Sequence, residues 1–193
     1  MKFHTALIAI RRCTVCDALR TGTWKDCCLE NAGMLKRIVL IGDSYAKQIG
    51  RYLPEAWNCG RAGTTVSGNK PYRKTRIFKF MRLLRPRVVV SLIGTNDSGL
   101  EEFDGERFRA EYEYLLRALG GRSLVIEPIF PIAEVFGLRP RVLEQSIIPI
   151  VRTIGDKHLK LENMIPAEDG VHLTEGSAKD AARQINLRLR GIK

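Results

Sequence analysis

Three short polar clusters in this chain contain residue types suited to nucleophilic catalysis. In the first, IGDS, Ser44 follows closely on a run of apolar residues, and the second, GTND, contains Asn96. The third, DGVHL, places Asp169 three residues before His172. A serine hydroxyl is a weak nucleophile that needs a base, and a carboxylate bound to Nδ1 of an imidazole leaves Nε2 free to accept a proton. Together the clusters indicate a nucleophile, a base and an acid that orients the base.

Each cluster alone gives weak support for a catalytic site. Gly-Asp-Ser is often only a turn, an Asn-Asp pair is common in loops, and a single histidine is usually structural. His158, for example, has no acid placed as Asp169 is placed before His172, and we interpret it as structural. Cys59 has no base nearby in sequence and is interpreted as a small buried hydrophobic residue. The order of the clusters and their positions after apolar runs are what make them informative.

Short apolar runs alternate with helical patterns from Lys36 onward, which predicts the elements that must position these residues. Strands are predicted over residues 37–41, 56–59, 87–94, 123–132 and 158–162. Helices are predicted over 45–53, 72–85, 139–154 and 174–190, with another beginning after Asp104. Such alternation predicts an α/β fold with a parallel sheet covered on both faces, and sites in these sheets lie at the carboxyl ends of the strands. Pro149 predicts a kink or a late start in the 139–154 helix.

Over nearly all of residues 36–190 the sequence resembles the SGNH (GDSL-type) hydrolase family. IGDSYA looks like the nucleophile motif of the family, NCGRAGTT like its glycine motif, IGTND like its asparagine motif and DGVHL like its Asp-x-x-His motif. The residue after the nucleophile is Tyr45, where the named GDSL subset has leucine, so the chain resembles the broad family more than that subset. The resemblance implies a three-layer α/β/α sandwich with a flavodoxin-like, mostly parallel sheet.

The resemblance also implies roles for individual residues. Ser44, Asp169 and His172 would form the catalytic triad. The backbone N–H groups of Ser44 and Gly63 and the side-chain amide of Asn96 would stabilise the oxyanion.

Three neighbouring residues have supporting or competing interpretations. Gly60 competes with Gly63 for the oxyanion role, and the spacing of the motif favours Gly63. Asp43 is interpreted as holding the turn before the nucleophile, and Asn58 as bracing the glycine-motif loop. No metal or organic cofactor is required for this chemistry.

The predicted function is hydrolysis of an O-acyl ester, acetyl or short acyl, of a carbohydrate or small molecule through an acyl-serine intermediate. A lipase, thioesterase or lysophospholipase is an alternative within the same chemistry. A non-catalytic anion-binding module on the same scaffold is the alternative from another class, because a fold does not determine a function.

The charge of the chain is concentrated in one segment. The 193 residues carry a formal net charge of +11, yet no acidic residue lies between Ala56 and Asn96, where nine Lys and Arg residues occur. The basic segment 61–87 is expected to attract anions, which include nucleic acid, acidic polysaccharide, phospholipid and small anionic substrates. A solvated helix face without a partner is the alternative.

Residues 1–33 are interpreted as an N-terminal extension and 34–193 as the hydrolase domain. The extension contains Cys13, Cys16, Cys27 and Cys28, whose spacing includes one Cys-x-x-Cys but lacks the second half of a typical zinc site. The apolar stretch near the start is too short for a secretory signal, and no apolar run is long enough to cross a bilayer. An intracellular location is therefore the default expectation, with export by another route left open.

Overall fold

The computed structural model describes residues 38–131 and 137–192, so the predicted extension over 1–33 and its four cysteines lie outside the described residues. The strands are β1 Ile38–Gly42, β2 Ala56–Gly60, β3 Val88–Leu92, β4 Arg122–Ile126 and β5 Lys157–Leu159. The α-helices are α1 Ser44–Ile49, α2 Arg76–Leu84, α3 Gly105–Leu119, α4 over 140–151 and α5 Glu175–Arg190. Short 3-10 helices cover Gly50–Tyr52, Tyr72–Lys74 and Thr95–Gly99.

The five strands form one parallel sheet in the order β2-β1-β3-β4-β5. The chain moves outward in one direction from β1 to β2 and in the other direction from β3 to β5, so the topological switch point lies between β1 and β3. Ligands bind at such switch points, outside the carboxyl ends of the strands. The register pairs Gly42 with Leu92, which places the ends of β1 and β3 side by side. The prediction of a three-layer, parallel α/β fold is confirmed.

The core packs helices against a sheet that is apolar on both faces. Every residue of β3 is buried, as expected for a central strand with helices on either side. Helix α1 packs against α5, and α2 packs against α3. The small side chains of Ala178, Ala181 and Ala182 on α5 are buried and allow that helix to approach α1 and the sheet closely.

The boundaries differ from the sequence prediction where proline or a local cap intervenes. The strand predicted over 123–132 ends at Ile126, since Pro128 and Pro131 cannot donate to a ladder. The helix predicted over 72–85 begins only at Arg76, where the Thr75 side chain accepts the N–H of Phe78. The last predicted strand, 158–162, is limited to Lys157–Leu159.

Helix α4 contains a wide turn just before its internal proline. Its first turn, Pro140–Val142, is α-helical, Leu143–Ile147 is π-helical, and Ile148–Val151 is α-helical again. Pro149 lacks the N–H that would bond four residues back, and a π-turn relieves the clash with the preceding carbonyl. The kink predicted at this proline therefore takes the form of a π-helical segment.

Within residues 38–131 and 137–192, no helix combines the length and the apolar character needed to span a membrane.

Candidate active site

The end of β1 requires a glycine. Gly42 has φ 148°, and a Cβ there would lie 1.8 Å from the carbonyl oxygen of Leu92 on β3. Only a residue without a side chain can let the two strands end this close together. The carbonyl of Gly42 also accepts the N–H of Arg61 at 2.9 Å, so the exits of β1 and β2 are joined at the same place.

Ser44 is the first residue of α1 and is positioned by the acid that precedes it. Asp43 is the N-cap, and its Oδ1 accepts the N–H of Tyr45 at 3.0 Å. The Ser44 N–H has no acceptor among the described residues, and it lies at the positive end of the helix dipole, where negative charge is favoured. This N–H is therefore available for a developing oxyanion.

Asp43 is a buried carboxyl with one unpartnered oxygen. It is 1% exposed, and its Oδ2 has no hydrogen-bond partner. Burial raises the pKa of Asp43 to about 7, the N–H of Tyr45 opposes that rise, and the nearby Asp97 carboxylate adds to it. The interpretation of Asp43 as the residue that holds the turn agrees with its capping bond, while its protonation near neutral pH has no signature in the sequence.

Asp169 and His172 form a tight pair on the loop before α5. His172 Nδ1 lies 2.6 Å from Asp169 Oδ2, and Asp169 Oδ1 accepts the N–H groups of His172 and Val171 at 2.8 and 3.0 Å. The hydrogen bond with the His172 ring, followed by these two N–H groups, lowers the pKa of Asp169 to about 2. The side chains of Asp169 and His172 are 43% and 44% exposed, so the pair opens to solvent.

The helix that begins with Ser44 holds the His172 loop directly. The Tyr45 hydroxyl donates to the carbonyl of Val171, and Gln48 donates to the carbonyl of Leu173 at 2.6 Å. Gln48 Oε1 also accepts the N–H of Leu173 at 3.1 Å. The rings of Tyr45 and His172 lie 6.3 Å apart between centroids. Residues separated by about 125 positions are thereby fixed at the same edge of the sheet.

The Ser44 hydroxyl itself has no hydrogen-bond partner in the described ranges. In enzymes without bound substrate, the hydrogen bond between nucleophile and base is often long and tightens only in the reacting complex.

The two candidate oxyanion glycines, Gly60 and Gly63, differ in the hydrogen bonding of their N–H groups. The Gly60 N–H is already donated to Asn58 Oδ1 at 3.1 Å, and a Cβ at Gly60 would lie 2.2 Å from the backbone nitrogen of Lys47. Asn58 Nδ2 donates to the carbonyl of Lys47 at 3.0 Å, so Asn58 ties β2 to α1. Gly63 is exposed with φ 71°, and its N–H has no acceptor among the described residues. Of the two, Gly63 has the available donor.

The turn after β3 is hydrogen-bonded to the loop after β2 through the side chains of two consecutive residues, Asn96 and Asp97. Asn96 Nδ2 donates to the carbonyl of Thr64 at 2.9 Å, which leaves its second amide hydrogen available. Asp97 accepts the N–H groups of Val66 and Ser67 at 2.8 and 2.9 Å, and the Ser67 hydroxyl at 3.1 Å. Asp97 is fully buried, and burial raises its pKa to about 6 against the opposing effect of these donors.

Asp97 was not among the site residues predicted from the sequence. Its position directly after Asn96 is the only local signal, because its partners lie about 30 residues away.

Other reactive side chains are placed away from this chemistry. Cys59 is buried beside Met81, and burial raises the pKa of its thiol to about 12, which confirms the interpretation of an inert, buried cysteine. His158 is on β5, and its Nε2 lies 3.8 Å from Oε1 of Glu127. Burial lowers the pKa of His158. In the described ranges, no three His, Cys, Asp or Glu side chains cluster closely enough to share a metal ion.

The proteins found by comparison with this chain include several that are named as esterases. No family model matches the sequence. An acetylxylan esterase from Xylanibacter ruminicola is 26% identical over 66% of this chain and 34% of its own length, so the chain spans about a third of the curated relative it matches.

Two solved structures show the same fold at low sequence identity. The inhibitor-bound aryl esterase of M. smegmatis superposes with a TM-score of 0.61 at 14% identity, covering 81% of this chain and 99% of that one. A carbohydrate esterase family 3 structure from Talaromyces cellulolyticus gives a TM-score of 0.55 at 16% identity, covering 80% and 96%. The three-layer α/β/α fold that the four motifs imply is confirmed, and it is the fold of these two solved structures.

Proposed function

We propose that this protein is a serine esterase that removes an acetyl or short acyl group from a carbohydrate or small molecule. The observation that carries the proposal is the Asp169–His172 pair, held by Tyr45 and Gln48 against the helix that begins with Ser44. An acid–imidazole pair anchored to the helix of a serine has the parts of a triad, whatever fold carries them.

In the proposed first step, the Ser44 hydroxyl attacks the ester carbonyl and its proton passes to Nε2 of His172. Asp169 keeps the Nδ1 proton in place and stabilises the imidazolium that forms. Collapse of the tetrahedral intermediate breaks the bond to the alcohol, which leaves with the proton from His172. Water then attacks acyl-Ser44 by the same route and releases the carboxylic acid and free Ser44.

Three donors are available for the negative oxygen of the tetrahedral intermediate. They are the N–H groups of Ser44 and Gly63, which have no acceptor among the described residues, and the second amide hydrogen of Asn96. Loss of one such donor typically costs about 3 kcal/mol of transition-state stabilisation. All three come from the exits of β1, β2 and β3, where a switch point places ligands.

The acyl group is proposed to be small. The side chains of Asp169 and His172 are both more than two-fifths exposed, so this part of the site is open to solvent, which favours a short acyl group over a long chain that would need to be buried. Hydrolysis of p-nitrophenyl acetate should therefore be faster than hydrolysis of p-nitrophenyl octanoate. Equal or faster turnover of the octanoate would support a lipase or thioesterase instead. The acetylxylan esterase and the carbohydrate esterase compared above favour a carbohydrate as the alcohol.

The decisive experiment is covalent labelling of the purified protein with a fluorophosphonate probe. Wild type should be labelled once and should hydrolyse p-nitrophenyl acetate, and Ser44→Ala should do neither while its thermal unfolding is retained. Ser146→Ala, a change at another partly exposed serine, should behave as wild type. Undiminished labelling of Ser44→Ala would refute the assignment. A folded wild type that neither reacts nor hydrolyses esters would support the non-catalytic module.

A further inference from the structure

A basic groove lies at the amino-terminal edge of the sheet, opposite the candidate active site. It occupies about 620 Å³ between the ends of α2 and α3 and is lined by Lys79, Arg82, Leu83, Arg85 and Arg117. Its floor is formed where the chain enters β3 and β4, whereas Ser44 follows the carboxyl end of β1. A five-residue strand spans about 17 Å, so the groove is separate from the catalytic edge.

The lining of this groove is cationic, and Glu113 and Asp156 line only the adjoining pocket, which shares Arg117 with the groove. No acidic side chain lines the groove itself, and none of its four cations forms an ion pair within the described ranges. Elsewhere cations do find acids, as in Arg152–Glu127, Lys179–Glu175 and Arg183–Asp180. A concave surface lined by one sign of charge focuses its field and attracts ligands of the opposite sign.

Helix dipoles account for only part of this arrangement. Cations near helix C-termini are common because they interact favourably with the dipole, which explains Arg82 and Arg117. Arg85 is different, since it has φ 47°, a left-handed conformation in which glycine would cost less. Because this backbone conformation is unfavourable for arginine, its occurrence at position 85 indicates that the cationic side chain has a function.

Two consecutive glycines contribute to the floor of the groove. Gly121 has φ 77°, and a Cβ there would lie 2.3 Å from the carbonyl oxygen of Pro86, so the two entering strands are in close contact. Gly120 has φ 69° and nothing within 4 Å of the space a Cβ would occupy. The open space at Gly120 gives an extended ligand access to the cations.

We infer that this groove binds an acidic polysaccharide. Arginine matches carboxylates in bidentate geometry, and Leu83, 80% exposed beside the cations, offers an apolar surface to the carbon face of a sugar ring. The lining has no aromatic ring on which a single-stranded nucleic acid could stack. The apolar side chains of α2 at Ile77, Phe78 and Met81 are buried in the protein, so the helix has no apolar face to insert into a bilayer.

The choice of a polysaccharide rests on the proposed function, because the same chain would then hold the polymer whose esters it hydrolyses. Binding at one edge of the sheet raises the concentration of ester groups at the other edge without new contacts in the active site. The groove should therefore affect the KM for a polymeric acidic substrate and leave the hydrolysis of a small neutral ester unchanged.

The test compares two variants with equal charge loss. The groove variant is Lys79→Gln/Arg82→Gln/Arg85→Gln/Arg117→Gln, and the matched variant is Arg51→Gln/Lys179→Gln/Arg183→Gln/Arg190→Gln, each lowering the net charge of +11 by four. The matched positions are exposed and lie on or beside α1 and α5, on the other face of the sheet. Calorimetric titration with polygalacturonate measures binding, and p-nitrophenyl acetate hydrolysis measures the catalytic edge.

Wild type should bind polygalacturonate with an affinity that falls as salt rises from about 50 to about 300 mM, since exposed charges are screened. The groove variant should bind about 10-fold or more weakly, which corresponds to about 1.4 kcal/mol, and the matched variant within about 2-fold of wild type. Both should hydrolyse p-nitrophenyl acetate as wild type does.

Three results would overturn the inference: no binding of polygalacturonate by wild type, equal losses in both variants, or tighter binding of a DNA duplex or phosphatidylserine vesicles at the same ionic strength. A failure of the proposed esterase would appear separately, as absent hydrolysis and absent fluorophosphonate labelling with polymer binding intact.

Discussion

Among single residues, Asp169 has the simplest electrostatic role. Its pKa of about 2 follows first from the hydrogen bond with the His172 ring and then from two backbone N–H groups. The carboxylate is therefore ionised at every pH at which an esterase would be assayed. An acid limb in a pH–rate profile must therefore arise from another group.

Replacing Asp169 with asparagine tests its role without removing its backbone contacts. Asparagine retains an oxygen for the N–H groups of His172 and Val171, but its amide cannot stabilise an imidazolium. By analogy with other triads, we expect kcat to fall by about 10²- to 10⁴-fold while the unfolding temperature changes little. Glu168→Gln, the same charge change on the exposed neighbouring residue, should retain wild-type kcat. Similar kcat values for the two variants would contradict the assignment of Asp169.

Asp97 is expected to act as a positioning residue for the loop that carries Gly63. In Asp97→Asn an amide would face N–H donors, and one buried hydrogen bond would be lost at a cost of about 1–3 kcal/mol. We expect kcat to fall by about 10-fold, more than KM rises, because the oxyanion donors lose their alignment.

Asp156 provides a matched control for Asp97. It accepts the N–H and hydroxyl of Ser123 at 2.7 and 2.9 Å, much as Asp97 accepts those of Ser67, but it lies at the amino-terminal edge of the sheet. Asp156→Asn should lower stability and leave kcat unchanged. If both variants lost activity only in proportion to stability, Asp97 would be structural.

The contrast between these residues shows what sequence reasoning could reach. Ser44, Asn96, Asp169 and His172 stand in short motifs whose spacing is visible along the chain. The bonds of Asp97 to Val66 and Ser67, and of Tyr45 to Val171, join positions about 30 and 126 apart. Such pairs leave no local periodicity, so only the folded structure reveals them.

Among the elements, the loop after β2 contains two glycines that serve different purposes. In Gly60→Ala the new methyl group would meet the backbone of α1 at 2.2 Å, which a packed interface cannot relieve without moving. We expect a loss of about 3 kcal/mol or more in the free energy of unfolding. In Gly63→Ala nothing lies within 4 Å, and only the left-handed backbone, φ 71°, is disfavoured, by about 1–2 kcal/mol.

Urea denaturation of the two glycine variants separates these causes. Gly63→Ala retains its backbone N–H and should keep most of the esterase activity, whereas Gly60→Ala should lose both stability and activity. Equal destabilisation of the two would mean that close packing of β2 on α1 is not the constraint at Gly60.

Element prediction from sequence succeeded where hydrophobic periodicity was strong and failed where backbone chemistry was local. Helices α3 and α5 and all five strands lie where their apolar patterns predict them, although β4 and β5 are shorter than predicted. The π-helical turn Leu143–Ile147 depends on how Pro149, two residues after its end, is accommodated. The 3-10 turn Thr95–Gly99 depends on Gly94, whose φ is 130°. Neither has a periodic signature.

For the whole molecule, the buried carboxyls predict an unusual dependence of stability on pH. The pKa values of Asp43 and Asp97 in the folded protein, about 7 and about 6, lie above the ordinary value of 3.8. At a pH between a group's ordinary pKa and its raised pKa in the folded protein, the folded state binds more protons than the unfolded state. Asp43 and Asp97 therefore make the protein more stable as pH falls from about 7 towards about 4. His158, whose pKa burial lowers, acts in the opposite direction below its ordinary value of 6.5.

Asp43→Asn isolates the larger of these contributions. The variant has no charge to bury, so its free energy of unfolding relative to wild type should rise from pH 5 to pH 7 by about 1 kcal/mol per pH unit. Urea denaturation of both proteins at several pH values measures this difference. A difference that is constant with pH, or that falls as pH rises, would show that Asp43 is ionised in the folded protein well below neutrality.

The attachment of the His172 loop to α1 through Tyr45 and Gln48 has a consequence for the order in which reactivity arises during synthesis. A chain that has emerged from the ribosome only as far as β5 already contains Ser44, the proposed nucleophile, and all five strands. It still lacks His172, the proposed base, whose loop is held against α1 by Tyr45 and Gln48. Under the proposed mechanism, ester hydrolysis therefore depends on contacts between α1 and the His172 loop that can form only after all five strands have been made.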